Sequence, residues 1–315
     1  MSQYNQHISV LLDETINSMH IVPEGIYVDM TTGRGGHSAK ILEKLNDRGR
    51  LVCFDKDQNA IDYCANRFKD DKRVTLIHAD FKQLSQQLRL LNINLVDGIV
   101  FDLGVSSPQF DDPSRGFSYR FDARLDMRMD QSQSLDAYYI VNSYDVDNLC
   151  RIFRDYGEEK FAYPIAKKII EMRRIQPIET TFQLVDIIKQ CLPNKVLKQK
   201  GHPAKKIFQA LRIEVNQELD ALDQGLNQAL AMLNLNGICS VITFQSLEDR
   251  FVKHLFKEKS SVKMPSGKIP LRQDQLPTPD YELLTRKSIV SGQKELETNN
   301  RAHSARLRSI RRIKL

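Results

Sequence analysis

Short β-rich runs alternate with helical stretches through the N-terminal third of the sequence, and this alternation limits the fold more than any other feature. The β-rich runs are residues 25–29, 50–55, 74–78 and 95–102, with helical stretches between them. Strands joined through helices at this spacing form right-handed βαβ units, in which helices cover both faces of a parallel sheet. The chain is therefore predicted to be an α/β protein with a Rossmann-like sheet.

A long interval separates the fourth β-rich run from the fifth. The fifth run is residues 237–244, about 130 residues further on, and one crossover helix needs far fewer. One long helix is predicted over about 204–233, because apolar residues recur there at steps of three and four. That helix can lead the chain back into the fifth strand.

The remaining middle of the chain is predicted to be an insertion. Residues 1–130 and 201–315 are assigned to the sheet-bearing domain, and residues 131–200 to an inserted helical domain. Within the insertion, Thr180-x-x-Gln183 has the capping-box pattern of a helix start. A late strand at the edge of the sheet is predicted within residues 281–290.

Composition narrows the class of protein. No apolar run approaches the roughly 18 residues of a membrane span, and the N-terminus lacks a signal-peptide layout. The five cysteines lie far apart without a C-x-x-C pair, which argues against a disulfide framework and against a metal site. We therefore expect a cytoplasmic protein with no membrane partner and no bound metal.

Two basic runs suggest a polyanionic partner. The net charge is only +6, but residues 195–206 hold five lysines and residues 301–315 hold six Lys or Arg, and neither run contains an acid. A charge run is often only a solvated face. Two such runs favour phosphate contacts instead, with Lys205 and Lys206 in the first and Arg306 and Arg308 in the second as candidates.

The first predicted strand runs into a glycine-rich loop, residues 29–37, of the kind that brings backbone close to a ligand. Such loops serve NAD, FAD and S-adenosylmethionine alike. The dinucleotide pattern requires a third glycine where this chain has Ser38. Asp29, at the end of the first strand, can accept a hydrogen bond from the cationic amino group of the methionine moiety. Asp55, at the end of the second, can accept ribose hydroxyls in either class of enzyme.

The third predicted strand runs into Asp80-Phe81, an acid–aromatic pair suited to the edge and face of an adenine. Phe81 can equally be a core aromatic. Together with the loop, these residues favour S-adenosylmethionine over a dinucleotide, and a methyltransferase over a dinucleotide oxidoreductase.

The methyl acceptor is expected beside the end of the fourth strand, at Asp102. The lone pair of an exocyclic amine is delocalised into its ring, so nearby acceptors must favour a more tetrahedral nitrogen and receive the released proton. Asp102, Ser106 and Ser107 are the candidate catalytic residues. Asp102 can alternatively cap the strand or contact the cofactor.

A segment that interleaves arginine with aromatic residues follows at 115–130. Arg115 and Arg120 can contact RNA phosphates while the aromatic rings stack on unpaired bases. The same composition also suits a well-ordered loop crossed by ion pairs, and the two interpretations remain open at this stage.

Longer strings resemble the bacterial 16S ribosomal RNA cytosine-N4 methyltransferase family, small-subunit methyltransferase H, also called MraW. The resemblance covers nearly the whole chain. It is carried by Val10-Leu-Leu-Asp-Glu14, Gly33-Arg-Gly-Gly-His37, Asp102-Leu-Gly-Val-Ser-Ser-Pro-Gln109, Leu125-Asp-Met-Arg-Met-Asp130, Tyr156-Gly-Glu-Glu159, Phe208-Gln-Ala-Leu-Arg-Ile-Glu-Val-Asn216, Ser246-Leu-Glu-Asp-Arg250 and Ser304-Ala-Arg-Leu-Arg308.

The resemblance implies a class I methyltransferase that uses S-adenosylmethionine to methylate N4 of one cytosine in the decoding region of 16S rRNA. Its partner would be the rRNA or the assembled small ribosomal subunit, and the inserted helical domain would help to recognise this substrate. DNA is not expected, because the amino-methyltransferase tetrapeptide with its Pro-Pro turn is absent. The family's cofactor positions map onto Gly35, Gly36, His37, Asp55, Phe81, Asp102 and Gln109, while Asp29 is a less certain contact.

The chain departs from the family pattern at two places. Gln245 stands where the family often has histidine, so a mechanism that needs a histidine base there is doubtful. Asn300 and His303 replace the more usual proline and arginine near the C-terminus. Neither change touches the glycine loop.

Overall fold

The computed structural model describes residues 9–262 and 278–315, which form two compact units. The first unit combines the described residues up to Gly104 with those from Ala221 onward, and the second is Val105–Asp220. The second unit is longer at both ends than the insertion predicted at 131–200. Its extra segments bring apolar residues such as Phe117 and Ile207 into the core of the helical unit.

The described part of the first unit contains a seven-stranded sheet. The strands are β1 (Ile26–Asp29), β2 (Arg50–Asp55), β3 (Val74–His78), β4 (Val96–Asp102), β5 (Leu233–Thr243), β6 (Tyr281–Leu283) and β7 (Arg306–Arg312), in the spatial order β3-β2-β1-β4-β5-β7-β6. The first five strands pair in parallel, and β7 runs antiparallel to both of its neighbours. The predicted α/β, Rossmann-like fold is confirmed, and the strand order reverses between β1 and β4, where such sheets bind ligands.

The described residues contain fourteen α-helices. They are α1 (Leu12–Ser18), α2 (Gly36–Leu42), α3 (Gln58–Arg67), α4 (Leu84–Leu90), α5 (Ser107–Asp111), α6 (Ala137–Ser143), α7 (Val146–Asp155), α8 (Ala162–Arg173), α9 (Thr181–Cys191), α10 (Asn194–Leu197), α11 (Lys205–Asn216), α12 (Glu218–Met232), α13 (Ser246–Lys259) and α14 (Gln293–Thr298). Within residues 9–262 and 278–315, none of them has the length and apolar character that crossing a membrane requires.

The single helix predicted over 204–233 is wrong, because the chain breaks at Gln217. Gln217 has φ = 51°, a left-handed conformation that no helix continues through. The residue before it, Asn216, donates to the carbonyl oxygen of Met127 (2.8 Å) and accepts from the backbone N–H of Met129 (2.8 Å). These hydrogen bonds fix the end of α11 within the helical unit, and α12 then carries the predicted apolar stripe into the core of the first unit.

The C-terminal basic run forms strand β7, which the sequence analysis did not predict. Leu307 and Ile310 are fully buried between β5 and β6, and Ser309 shares hydroxyl hydrogen bonds with Ser18 and Ser240. The predicted late strand is shorter than expected: β6 covers 281–283, and Ile289 adds an isolated bridge to Leu307. Arginine at four of its seven positions concealed this strand.

The helical unit has its own apolar core, formed mainly by α6–α9 and α11. The predicted capping box is present: the Thr180 hydroxyl accepts from the backbone of Gln183, and the Gln183 side chain accepts from the backbone of Thr180. Just before α9, the backbone of Thr180 bridges to Arg124, which ties the 115–130 segment to this unit.

Candidate active site

The glycine loop after β1 has backbone conformations and spacings that side chains do not tolerate. Gly33 (φ = 53°) and Gly35 (φ = 71°) are left-handed. A Cβ on Gly36 would lie 1.9 Å from the Oγ of Ser9, so this position needs glycine for the close approach of the N-terminal segment. The loop's shape is therefore fixed by the protein's own packing, and its amides are preorganised at the start of α2.

Asp29 lies behind the glycine loop. Its carboxylate accepts from the Ser38 hydroxyl (2.6 Å) and the Thr31 N–H (3.1 Å), and its side chain is 1% exposed. Burial raises the pKa of Asp29 to about 6, although both hydrogen bonds lower it. Both carboxylate oxygens are thus already occupied, one by the loop backbone and the other by the first turn of α2. We therefore assign Asp29 the role of holding the loop, in place of the predicted contact with an amino group.

Asp55 ends β2 and is oriented by the same loop. One oxygen accepts from the N–H of Gly33 (2.8 Å) and the other from the N–H of Asp57 (2.8 Å). Burial is the main cause that raises the pKa of Asp55 to about 6, against the lowering effect of these two hydrogen bonds. Each oxygen retains a second lone pair, and the side chain is half-buried, so it can still accept ribose hydroxyls.

Phe81 packs as the core aromatic that the sequence left as an alternative. Its ring meets Phe101 edge to face at 5.7 Å, and it lies so close to α12 that a Cβ on Gly225 would be 2.7 Å from its Cδ2. Before it, Asp80 pairs with Lys56 (3.0 Å). The Phe81 ring remains half-buried, so packing against the core leaves part of it accessible.

Asp102 ends β4, the neighbour of β1 on its other side. Its backbone N–H donates to the Thr31 hydroxyl (2.6 Å), which fixes the strand end against the glycine loop. His37 Nδ1 lies 3.6 Å from Asp102 Oδ2. The other oxygen, Oδ1, is buried and has no hydrogen-bond partner among the described residues. Thr31 was missed by the sequence analysis, although it lies inside the loop.

The surroundings of Asp102 disfavour its ionised form. Burial raises the pKa of the Asp102 carboxyl to about 8, and the charges of Asp29 and Glu248 add to this, while Arg301 opposes them. A carboxyl group that titrates near neutral pH can release or accept a proton at the pH at which enzymes work. About a fifth of the side chain (21%) remains exposed, so a ligand can reach it.

Gln245 supplies a second acceptor at this edge of the sheet. It follows β5, which pairs with β4 so that Ile242 lies opposite Asp102. Glu248 Oε2 accepts from the N–H groups of Phe244 (3.0 Å) and Gln245 (3.2 Å) and so fixes the turn. The Gln245 side chain faces the N–H of Glu248 in the capping box that starts α13, but its buried Oε1 makes no hydrogen bond of normal geometry to a described residue. The sequence shows that glutamine replaces the family's usual histidine at position 245, but it gives no reason to expect that the Oε1 of this glutamine is unsatisfied.

Unsatisfied buried acceptors are uncommon and costly. Leaving one without a donor costs about 1–3 kcal/mol, so native proteins seldom keep one without a use. Asp102 Oδ1 and Gln245 Oε1 lie at the carboxyl ends of adjacent parallel strands. The first unit thus combines a glycine loop, a ribose-competent carboxylate at Asp55 and two acceptors in need of donors. It fits a ligand that carries a ribose, next to a group that carries N–H donors.

Ser106 and Gln109 belong to the helical unit, where they form a capping box at the start of α5. Gln109 Oε1 accepts from the Ser106 N–H (3.0 Å), and the Ser106 hydroxyl accepts from the Gln109 N–H (3.5 Å). The string Ser106-x-x-Gln109 has the same pattern as Thr180-x-x-Gln183 and was overlooked as a cap. Both residues therefore have a structural use within this unit. The side chain of Ser107 lies outside the described part of the chain.

The predicted RNA contacts divide into buried and exposed arginines and lysines. Arg115 is buried and donates to the carbonyl oxygens of Arg128 and Met129, and Arg308 is buried with both ends of its guanidinium on Asp249 (2.8 and 3.1 Å). Neither is available as a surface cation, which corrects both predictions. The exposed members of the set are Arg120, Lys205, Lys206 and Arg306.

Ion pairs cross the 115–130 segment, as expected if it is a well-ordered loop. Arg128 forms a bidentate pair with Asp126, and Arg124 reaches Asp136 at 2.7 Å. Arg120 stays at the surface. The segment is thus mainly a braced loop, and only part of it remains available to a partner. Within residues 9–262 and 278–315, no group of three or more His, Cys, Asp or Glu side chains could hold a metal ion.

Comparison with known proteins identifies the chain's relatives. The model of the MraW methylase family matches residues 4–313. Among solved structures, a predicted rRNA methylase from Clostridium thermocellum is 14% identical with a TM-score of 0.45, over 98% of this chain and 100% of that one. An rRNA methylase from Streptococcus thermophilus is 11% identical with a TM-score of 0.41, over 96% and 93% of the two chains. A predicted methyltransferase from Streptococcus mutans, in complex with SAH, is 11% identical with a TM-score of 0.41, over 95% and 94%.

Proposed function

Since the chain belongs to the MraW methylase family and is an S-adenosylmethionine-dependent rRNA methyltransferase, we propose that it methylates N4 of a cytosine in the decoding region of 16S rRNA. The observation that carries the choice of an exocyclic amine is the pair of unsatisfied acceptors, Asp102 Oδ1 and Gln245 Oε1. An exocyclic amino group has two N–H donors and needs two acceptors. A ring carbon or a ribose hydroxyl would leave at least one of these oxygens without a donor.

The two acceptors would have different tasks. S-adenosylmethionine supplies an electrophilic methyl group, so an amine with an available lone pair needs no covalent bond to the enzyme. Asp102 can take the proton that the nitrogen releases, because its pKa of about 8 lies near neutral pH and a neighbouring cation favours its ionised form. The amide oxygen of Gln245 cannot take that proton and would hold the amine in position.

The remaining residues of the first unit would bind and orient. Asp55 would accept hydrogen bonds from the ribose hydroxyls, the accessible part of Phe81 would hold the adenine, and the loop amides at Gly35 and Gly36 would hold the amino-acid moiety. His37, 3.6 Å from Asp102, would fix the position of that carboxylate. Most of the rate enhancement in such a site would come from positioning and from exclusion of water.

The substrate is proposed to be 16S rRNA, free or within the assembled small subunit. The target cytosine must leave its stack to reach a buried amine site, and this is easiest where the RNA is not paired. Exposed cations on the helical unit, Arg120, Lys205 and Lys206, would hold flanking phosphates, consistent with a substrate-recognition role for that unit.

The test is transfer of labelled methyl groups to small subunits from a strain that lacks this gene, followed by nucleoside mass analysis. The proposal expects label in N4-methylcytidine. Gln245→Ala is expected to lower kcat/KM about tenfold, the effect of losing one hydrogen bond of about 1.4 kcal/mol, with binding of S-adenosylhomocysteine retained. Gln58→Ala, at an exposed residue of α3, is the matched control. Label in a different nucleoside, or none, would refute the proposal.

A further inference from the structure

The helical unit carries exposed aromatic and cationic side chains side by side. We propose that these form a binding strip for single-stranded RNA, which we call the aromatic–basic strip: Tyr119, Arg120, Phe121, Phe182, Lys189 and His202. The inference rests on the proposed function, since it concerns how the same substrate is held. It adds a defined surface and the strandedness of the RNA.

Two exposed phenylalanines mark one end of the strip. Phe121 is 44% exposed and Phe182 is 43% exposed. The Thr181 hydroxyl donates to the carbonyl oxygen of Phe121 (2.6 Å), and the N–H of Phe182 donates to Asp122 (3.2 Å). Their backbones are thus held together by hydrogen bonds, and two aromatic rings that a core could have buried remain at the surface.

A stacked aromatic pair marks the other end. The rings of Tyr119 and His202 are 4.1 Å apart and 7° from parallel, and Tyr119 also meets Phe208 edge to face at 5.7 Å. His202 Nδ1 accepts from the N–H of Ala204 (3.2 Å), which fixes the ring within the lysine run 195–206. The pair is half-buried, so it presents a preorganised aromatic edge rather than a mobile side chain.

Cations join these two ends. Lys189 lies seven residues after Phe182 on α9, which puts both on one face of the helix about 10 Å apart along its axis. Arg120 lies between Tyr119 and Phe121 and is exposed. Burial lowers the pKa of His202, and the charges of Lys189 and Arg120 lower it further, so both cations lie near enough to act on this ring. An anion placed near the ring would be attracted by both cations.

The combination fits single-stranded RNA better than a duplex or a protein. Aromatic faces can stack only on bases that are unpaired, while the cations track the phosphates. The acids on this surface are few: Asp122 is engaged at the start of α9, and Asp186 lies 3.8 Å from Lys189. The lysine run at 195–206 continues the positive charge beyond His202.

The test measures binding of the full-length protein to a labelled mixed-sequence RNA of about a dozen nucleotides, by anisotropy over a range of salt concentrations. Phe182→Ala is expected to weaken binding about tenfold, within the range for loss of one stacked base, and Phe182→Tyr is expected to restore it. Arg120→Ala is expected to reduce the slope of log K against log salt by about 0.7. Tyr163→Ala, at a 59% exposed tyrosine of α8, is the matched control.

Three results would overturn the strip. Wild-type affinity in both Phe182→Ala and Arg120→Ala would do so, and so would equal affinity for a duplex of the same length. Loss of binding to assembled small subunits with unchanged binding to the RNA would assign the surface to a ribosomal protein instead. Each of these results leaves methyl transfer to cytosine intact. Conversely, failure to form N4-methylcytidine would refute the proposed function while the RNA-binding measurement stands.

Discussion

Asp102→Asn is expected to make the protein more stable and almost inactive. The folded protein holds the pKa of Asp102 at about 8, above its ordinary value of 3.8, so the folded state binds this proton more tightly than the unfolded state. Stability associated with this group is therefore complete below about pH 4 and is lost progressively as the pH rises to about 8. Asparagine has the same shape and no charge, and it avoids that loss.

The size of the effect follows from the shift. For each pH unit between the two pKa values, the free energy of unfolding of the wild type falls by about 1.4 kcal/mol. The wild type therefore loses at most about 3 kcal/mol of stability through this group between about pH 5 and about pH 7.5. Because 21% of the side chain is exposed, solvent screens part of this, and we expect a gain of about 1–2 kcal/mol for Asp102→Asn. The rate of methyl transfer should fall about 100-fold or more, as expected for loss of a proton acceptor.

The assay is urea unfolding at the two pH values, followed by far-ultraviolet circular dichroism because the chain has no tryptophan. The exposed substitution Asp70→Asn is the matched control and should change stability by less than about 0.5 kcal/mol at both. In the wild type, kcat/KM should rise with pH through about 8, since it reports the free enzyme. The reasoning is refuted if Asp102→Asn destabilises the protein at about pH 7.5. It is also refuted if the stability difference between the variant and the wild type does not grow from about pH 5 to about pH 7.5.

Three further substitutions test the architecture. Gly36→Ala places a Cβ 1.9 Å from a buried hydroxyl, and it should cost about 1–3 kcal/mol and weaken binding of S-adenosylhomocysteine, measured by calorimetry; unchanged affinity would contradict the role given to the loop. Asn216→Ala leaves the N–H of Met129 without its acceptor and should lower stability by about 1–3 kcal/mol in urea unfolding, and a neutral result would contradict the account of the α11 end. Arg308→Ala breaks a buried ion pair and should lower the free energy of unfolding by about 3 kcal/mol, whereas Arg306→Ala, at an exposed position of β7, should lower it by less than about 0.5 kcal/mol. If both variants are folded under the assay conditions and RNA affinity falls more for Arg308→Ala than for Arg306→Ala, Arg308 is a surface contact after all.

The sheet was predictable because apolar composition and spacing report it directly. β2 and β3 have the predicted bounds, and β1 and β4 differ from prediction by one residue at the start. β1, β2 and β4 lie inside the sheet and are mostly buried, whereas β3 is an edge strand and only partly buried. Polar helix starts separate all four, so composition changes sharply at their ends. β7 has no such signal, because arginine side chains occupy its exposed positions and Arg308 is buried with a partner 59 residues away in sequence. Long-range pairing of this kind leaves no trace in a local pattern.

The same contrast applies to the site. Gly35 was predicted to contact the cofactor, and the structure adds that left-handed backbone requires glycine there and at Gly33 whether or not a ligand is present. The capping boxes at Thr180 and Ser106 have the same spacing, but only the first was interpreted as a cap, because the second lay in a string already assigned to chemistry. The break at Gln217 was not predictable from periodicity, since the apolar stripe continues at helical spacing across it.

In the reaction we propose, the glutamine at position 245 would determine how the proton leaves the site. A histidine there could share the proton with Asp102, since imidazole titrates near neutral pH, but a side-chain amide neither gains nor loses a proton in that range. With Glu248 occupied by the N–H groups of Phe244 and Gln245, the titratable acceptor with an unsatisfied oxygen at this edge is Asp102. In the proposed reaction the raised pKa of Asp102 would therefore have a use as well as a cost. The environment that destabilises the carboxylate in the folded protein would also make it basic enough to accept a proton from a newly methylated amine.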